Sequence, residues 1–263
     1  MNYTTSHTGK PHRFMPPLSD FQTKEKKHHT QQVVSVPAYL EEKYWWAYVR
    51  PQAIAFWDHE WMVNLILLGN MAKLRDRALD ALGSPIAGRT LQIACVYGDF
   101  SVRLAERLAA NGSLDIVDVV PDQLENARRK LSPTVPVRLT QRDATCLTKF
   151  DDATYEQVIL FFLLHEMPAD VRERTLREAL RVLKPGGKLV IVDFHKPFAW
   201  NPFRYLYPPM FRLLEPFALD MWRESIEQWL PKDFVAAEIT QETLFGGLYQ
   251  KLVIRKRMGH LSQ

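Results

Sequence analysis

Four carboxylates and two imidazoles stand at spacings that suggest chemistry: Asp118, Asp143, Glu166 and Asp193, with His165 and His195. Each follows or closes a run of apolar residues. A carboxylate at the end of a buried strand can accept two ribose hydroxyls of a nucleoside lying over the sheet, the role Asp118 would take twenty residues beyond Gly98. Asp143-Ala144 would receive an exocyclic adenine N–H in the same way. His165 and His195 can move a proton or position one. Taken singly, each acid also reads as a helix cap, and each histidine as a polar rim residue. Their order along the chain is what gives them weight.

The element that must position them is Leu91-Gln92-Ile93-Ala94-Cys95-Val96-Tyr97-Gly98-Asp99-Phe100-Ser101. It reads as a buried strand, a tight turn and the start of a helix, a geometry that aims backbone N–H groups at a ligand. From there the pattern alternates. Strands are predicted over 90–94, 114–119, 137–140, 157–163 and 188–194, with helices over 100–111, 121–131 and 169–183, the last stopped by Pro185-Gly186-Gly187. Alternation at this pace predicts a parallel sheet covered on both faces. Segments 234–240 and 249–255 predict an antiparallel pair at its edge. The expected fold class is therefore α/β, Rossmann-like and mostly parallel, with an antiparallel C-terminal strand.

Two decorations complete the plan. Residues 36–82 predict an aromatic helical cap carrying Tyr44, Trp45, Trp46, Tyr48, Phe56, Trp57 and Trp61, and a continuous helix is expected from Trp61 through Leu79. These rings serve either as core packing or as a pocket for a flat, greasy substrate. Residues 197–230, rich in proline and aromatic side chains, predict an apolar insertion on the substrate side. The domain division is thus a polar disordered tail over 1–35, the cap over 36–82, and the sheet domain over 83–263.

The segment 90–196 resembles the class I S-adenosylmethionine-dependent methyltransferases. The fragment Leu183-Lys184-Pro185-Gly186-Gly187-Lys188-Leu189 carries the likeness, and Asp193-Phe194-His195-Lys196-Pro197 is similar to the ubiquinone/menaquinone-biosynthesis branch. Three further stretches, Tyr44-Trp45-Trp46-Ala47-Tyr48-Val49, Trp61-Met62-Val63-Asn64-Leu65-Ile66-Leu67 and Ala94-Cys95-Val96-Tyr97-Gly98-Asp99, resemble the rhodoquinone-biosynthesis methyltransferase-like proteins. That resemblance implies conversion of ubiquinone to rhodoquinone. A ring methoxy group is replaced by an amino group, with S-adenosylmethionine as nitrogen donor and Mn2+ assisting. It implies a cofactor site at Gln92, Ala94, Val96, Tyr97, Gly98, Asp118, Val119, Asp143, Ala144 and Phe162. It also puts Tyr97, His165 and His195 in the catalytic set.

The departures from the usual methyltransferase pattern bear on mechanism. Those enzymes carry an acid near Gln92 and glycines where Ala94 and Val96 stand. Gln92 cannot pair with the methionine ammonium, and Val96 with Tyr97 should displace the methionine half of the ligand while Asp118 and Asp143 keep the nucleoside. The ammonium would then approach the quinone ring. His165, Glu166, Asp193, His195 and Asp99 offer the O and N donors manganese favours, although Asp99 also suits a helix first turn. Two other readings remain: an ordinary methyltransferase of the same pathway, and a degenerate fold that binds quinone without chemistry. A nicotinamide dehydrogenase is disfavoured, because Val96-Tyr97-Gly98 cannot supply G-x-G-x-x-G.

Composition narrows the partners. The chain has 263 residues, is 46% hydrophobic, and carries a net charge of +4 with a pI near 9.0. Lysines and arginines are scattered, which argues against nucleic acid and fits contact with an anionic membrane surface. No run reaches the ~18 apolar residues of a spanning helix. Cys95 and Cys146 form no metal or disulfide pattern. The expected location is cytoplasmic and peripherally membrane-associated, or mitochondrial in a eukaryote. The tail reads as disordered or, less readily, as a presequence with Arg13.

Overall fold

The computed structural model describes residues 35–44, 54 and 56–258. Trp45, Trp46, Tyr48 and all of the expected polar tail except Ser35 lie outside them. Five strands form the parallel part of the sheet: β1 (Arg89–Ile93), β2 (Ser113–Asp118), β3 (Val137–Gln141), β4 (Tyr155–Phe161) and β5 (Leu183–Phe194). Then β6 (Ala236–Leu244) and β7 (Tyr249–Lys256) add the antiparallel edge, giving the order β3-β2-β1-β4-β5-β7-β6. This is the expected α/β, Rossmann-like sheet. Consecutive strands run outward from β1 on one side, and β4 starts the other side. The crevice at the carboxyl ends of β1 and β4 is therefore the switch point where ligands bind in such sheets.

Burial follows from the residues. Val158, Ile159, Leu160 and Phe161 are all inaccessible, as expected of a central strand covered on both faces. Phe161 stacks on Phe100 at 4.1 Å between centroids. Each such fully buried side chain contributes about 2 kcal/mol of transfer free energy. The exposed edge strand β6 carries Glu238, Gln241 and Glu242, charge and polarity that oppose pairing with another chain.

Helices follow their expected places with three corrections. Instead of one helix from Trp61 to Leu79, the chain forms α2 (Glu60–Ile66) and α3 (Met71–Leu82), following the short α1 (Ala38–Lys43). Leu68 and Gly69 adopt positive φ at the break, and the Asn70 amide donates to the carbonyls of Leu67 and Leu68. Next, α4 (Phe100–Glu106) stops five residues short of the expected end. The chain leaves the helix to pair with Ile86, whose N–H donates to Arg107 O and whose carbonyl accepts from Ala109 N–H. Finally, β5 starts at Leu183, not Lys188, so the Pro185-Gly186-Gly187 turn lies within the strand as an irregularity in its pairing with β4. Helices α5 (Pro121–Lys130) and α6 (Ala169–Val182) end within a residue of expectation. The insertion contains α7 (Phe203–Leu214), which accommodates Pro208 and Pro209.

Candidate functional site

A cavity of about 570 Å3 opens over the carboxyl ends of β1, β2, β4 and β5. On the β2 and β3 side it is lined by Asp118, Val119, Asp143 and Ala144. On the β4 and β5 side lie Phe162, His165, Glu166 and Phe194, and α7 closes it with Leu206, Tyr207, Met210, Phe211 and Glu215. The cap contributes Tyr39, Val63 and Met71.

The β2–β3 side is shaped for a polar ligand. Asp118 ends its strand with Oδ2 accepting the Cys95 N–H at 2.7 Å and Oδ1 accepting the Val120 N–H at 2.8 Å. Burial pushes this carboxyl up to about 6, and its backbone hydrogen bonds only partly offset that. Asp143 Oδ1 accepts from the Thr145 N–H and hydroxyl, both at 2.8 Å, so the loop fixes the carboxylate before any ligand arrives. Burial, then the charges of Glu166, Asp143 and Asp118, raise the Tyr39 hydroxyl above its ordinary range. Tyr39 thus senses both sides of the cavity.

The first turn departs from an open ligand loop. Ala94 has φ 70°, the conformation that favours glycine. Gln92 is fully buried, and its amide donates to Ala94 O and Ser101 Oγ, both at 2.9 Å. Gln92 thus braces the turn from beneath and does not line the cavity. Gly98 also stands outside the lining. Its N–H donates to Asp58 Oδ1 at 3.0 Å, and Lys130 Nζ bridges that carboxylate and Gly98 O. Ala94, Cys95, Val96 and Tyr97 do face the cavity. The Tyr97 hydroxyl accepts from Gln123 at 2.9 Å, and burial holds its pKa far above the ordinary value. Asp99 pairs with Arg75 at 2.6 Å and Arg103 at 3.0 Å.

On the opposite side, strand β4 ends at Phe161, and Phe162 turns the chain with φ 52°. Leu164–Glu166 then form a single 3₁₀ turn. Asp193, wholly buried at the end of β5, accepts the N–H groups of Leu164, His165 and Phe194 and His165 Nδ1 at 2.9 Å. Burial alone would lower the His165 pKa. The Asp193 charge and hydrogen bond outweigh it and raise the imidazole to about 9. His165 is therefore an imidazolium near neutral pH, its Nε2 3.8 Å from Glu166 Oε1. Arg172, with no exposed surface, locks this turn to the insertion. It donates to Leu164 O at 2.7 Å and Phe217 O at 2.6 Å and lies over Trp229.

The structure does not bring His195 to this cavity. Its Nδ1 lies 2.8 Å from Gly247 O, and the ring lines a separate cavity of about 440 Å3 with Lys196, Arg204 and Trp222. A manganese site is not assembled either. Among the described residues no three His, Cys, Asp or Glu side chains converge to hold a metal ion. Asp193 is saturated by four donors, His195 is elsewhere and Asp99 is held by two arginines, so these residues do not fit the ion. Both cysteines are free thiols. Residues that spacing did not reveal include Asp58, Lys130, Tyr39 and Glu215. Only Glu215 carried a signal, as a lone acid in the apolar stretch Phe211-Arg212-Leu213-Leu214-Glu215-Pro216.

Known proteins agree with this geometry. Residues 90–187, which hold most of the parallel part of the sheet, match a family model described as a methyltransferase domain. A demethylmenaquinone methyltransferase of Bacillus licheniformis is 26% identical over 172 residues, covering 65% of this chain and 72% of its own. The ubiquinone/menaquinone biosynthesis C-methyltransferase UbiE of Idiomarina loihiensis is 32% identical over 139 residues, 52% of this chain and 54% of its own. Among solved structures, the N-methyltransferase NodS of Bradyrhizobium japonicum WM9, in complex with S-adenosyl-l-homocysteine, superposes with TM-score 0.53. It is 15% identical, and the match covers 70% of this chain and 86% of that one. An O-methyltransferase family protein of Burkholderia thailandensis reaches TM-score 0.57 at 15% identity, covering 81% and 64%.

Proposed function

We propose that this chain uses S-adenosylmethionine to act on the ring of a prenylated quinone, and that it exchanges a ring methoxy group of ubiquinone for an amino group, giving rhodoquinone. The observation that carries this reading is His165, buried with its Nδ1 2.9 Å from the Asp193 carboxylate, on the wall of a cavity that also holds Asp118 and Asp143. The two aspartates suit the nucleoside of the donor. The apolar wall from α2, α7 and Phe162 suits a quinone. A cationic N–H donor beside a quinone carbonyl draws electrons from the ring and makes it a better electrophile, as attack by an amine requires. Methylation of a ring carbon would need the ring as nucleophile, which the same charge weakens.

The first turn supports the finer reading. Asp58 occupies the Gly98 N–H, and Val96 and Tyr97 fill the space beside it. A methionine carboxylate cannot take the Gly98 N–H while Asp58 holds it, which favours a ligand whose amino-acid half turns toward the ring. Ordinary C-methylation is the second reading, favoured by the names of the two quinone-pathway relatives. Manganese has no assembled ligand set here, so no step is assigned to it. The apolar mouth of the cavity, where Leu65 and Leu206 are each more than half exposed, suits collection of a prenylated substrate at a bilayer surface. No helix of the described residues is long and apolar enough to cross a membrane.

The test is product mass after incubation with ubiquinone and S-adenosylmethionine labelled with 15N or methyl-13C, with and without Mn2+. Loss of methoxy with gain of 15N is the expected result. Gain of 13C alone would replace this reading with methyl transfer. Co-sedimentation with anionic liposomes tests the surface contact, and failure to sediment removes it.

A further inference from the structure

Glu215 is the one acid that the apolar insertion places in the cavity. It closes α7, its N–H donating to Phe211 O at 2.8 Å, so the helix end fixes where the side chain goes. Its Oε2 is sealed from solvent, and among the described residues no donor reaches that atom at ordinary hydrogen-bond length. The Tyr44 hydroxyl lies against the carboxyl, and the charges that face it are His165 from the 3₁₀ turn and Asp193 from β5. A buried carboxylate oxygen with an unmet acceptor, lining a ligand cavity opposite a cationic donor, is costly unless a ligand proton satisfies it.

We propose that Glu215 is the proton acceptor for the reaction at the quinone ring, working with His165 across the cavity. This rests on the reading that the cavity holds the ring and the donor together. In the first exchange, the donor's ammonium gives one proton to the Glu215 carboxylate. The nitrogen lone pair then forms a bond to the ring carbon bearing the methoxy group, while His165 donates a hydrogen bond to the carbonyl oxygen. As the carbon–oxygen bond breaks, the departing methoxide takes the proton from Glu215 and leaves as methanol. The second nitrogen proton passes to water, and nothing is oxidised or reduced in this exchange. Burial raises the Glu215 carboxyl above its ordinary value, and His165 and Tyr44 pull it back. That tuning brings a base nearer to working pH.

The experiment compares wild type with Glu215→Gln and Glu215→Asp at saturating S-adenosylmethionine, measuring kcat against pH, quinone KM and donor affinity. Glu215→Gln should lose about 100-fold or more in kcat, with the acid limb of kcat flattened. Glu215→Asp should recover about a tenth of wild-type kcat. A Glu215→Gln enzyme within about threefold of wild-type kcat, or altered in KM alone, overturns the proposal. Should that variant not fold, Tyr44→Phe supplies the readout. Losing the hydroxyl should move the acid limb to higher pH, and an unmoved limb overturns the assignment. A wild type that turns over no quinone removes the underlying reading and this inference with it. An active wild type with an equally active Glu215→Gln removes only the inference.

Discussion

The two sides of the cavity are built on opposite principles. On the β2–β3 side, the carboxylates are held by backbone N–H groups: Asp118 by its neighbour Val120 and by Cys95 at the end of β1, Asp143 by Thr145. On the β4–β5 side, the groups are held by partners far along the chain. His165 depends on Asp193, Leu164 on Arg172, and Arg172 on Phe217. The first side is built mostly from short-range turns, with one contact across the sheet from the Cys95 N–H. The second is a buried polar network in which each member is satisfied by another, so removing one strands the rest. A ligand-holding function suits the first arrangement, and chemistry that needs a fixed charge suits the second.

Breaking the second side should have the largest effect. His165→Gln is expected to lower kcat about 100- to 1000-fold while leaving S-adenosylmethionine affinity, measured calorimetrically, within about twofold of wild type. An equal loss of donor affinity would show that the two sides are not separable. Asp193→Asn should destabilise the fold by about 3 kcal/mol or more, because it leaves a buried imidazolium without its counter-charge. The sign of the pH effect follows. The folded pKa of His165 lies above the unfolded value of 6.5, so the stability it contributes is complete below pH 6.5 and is lost as pH rises toward 9. Denaturant midpoints for wild type should fall over that window, and the fall should be missing in Asp193→Asn.

The first side should respond in binding rather than turnover. Asp118→Ala removes an acceptor for two donor hydroxyls and should weaken S-adenosylmethionine binding about 10- to 100-fold. Asp118 takes up a proton as pH falls through about 6, which costs it an acceptor site. Wild-type donor affinity should therefore be several-fold lower at pH 5 than at pH 7.5, and Asp118→Ala should not show that slope. The smallest effect belongs to Ala94→Gly. Glycine at φ 70° relieves a left-handed strain of about 1 kcal/mol, although it adds freedom to the unfolded chain. A rise in melting temperature of a few degrees checks it.

The same contrast explains what was legible in the residues. Asp118, Asp143, Ala144 and Val119 stand at strand ends that periodicity locates, so their convergence on one cavity followed from sheet topology. Gln92 and Gly98 were placed on the right element but not at its surface. Spacing along a strand says where a residue lies, and the pleat and neighbouring hydrogen bonds say which way it faces. His195 shows the limit of that reasoning in another way. It follows the strand end, as His165 does, but the chain bends toward Gly247 and carries it to another cavity.

By itself the sequence determined the alternation of strands and helices, the parallel sheet with its antiparallel edge, and the positions of Asp118 and Asp143 at the ends of β2 and β3. These rest on periodicity, apolar runs and turn residues, all of which act over a few residues. Only the tertiary structure decided that Asp58 and Lys130 occupy the turn at Gly98, that Asp193 charges His165, and that Glu215 joins them from the insertion. Those contacts join residues 28 to 72 positions apart where their hydrogen bonds are direct. Long-range packing sets them, and no local pattern encodes it. The β1 turn opens the Asp118 side of the cavity, and what faces it is brought there by the rest of the chain.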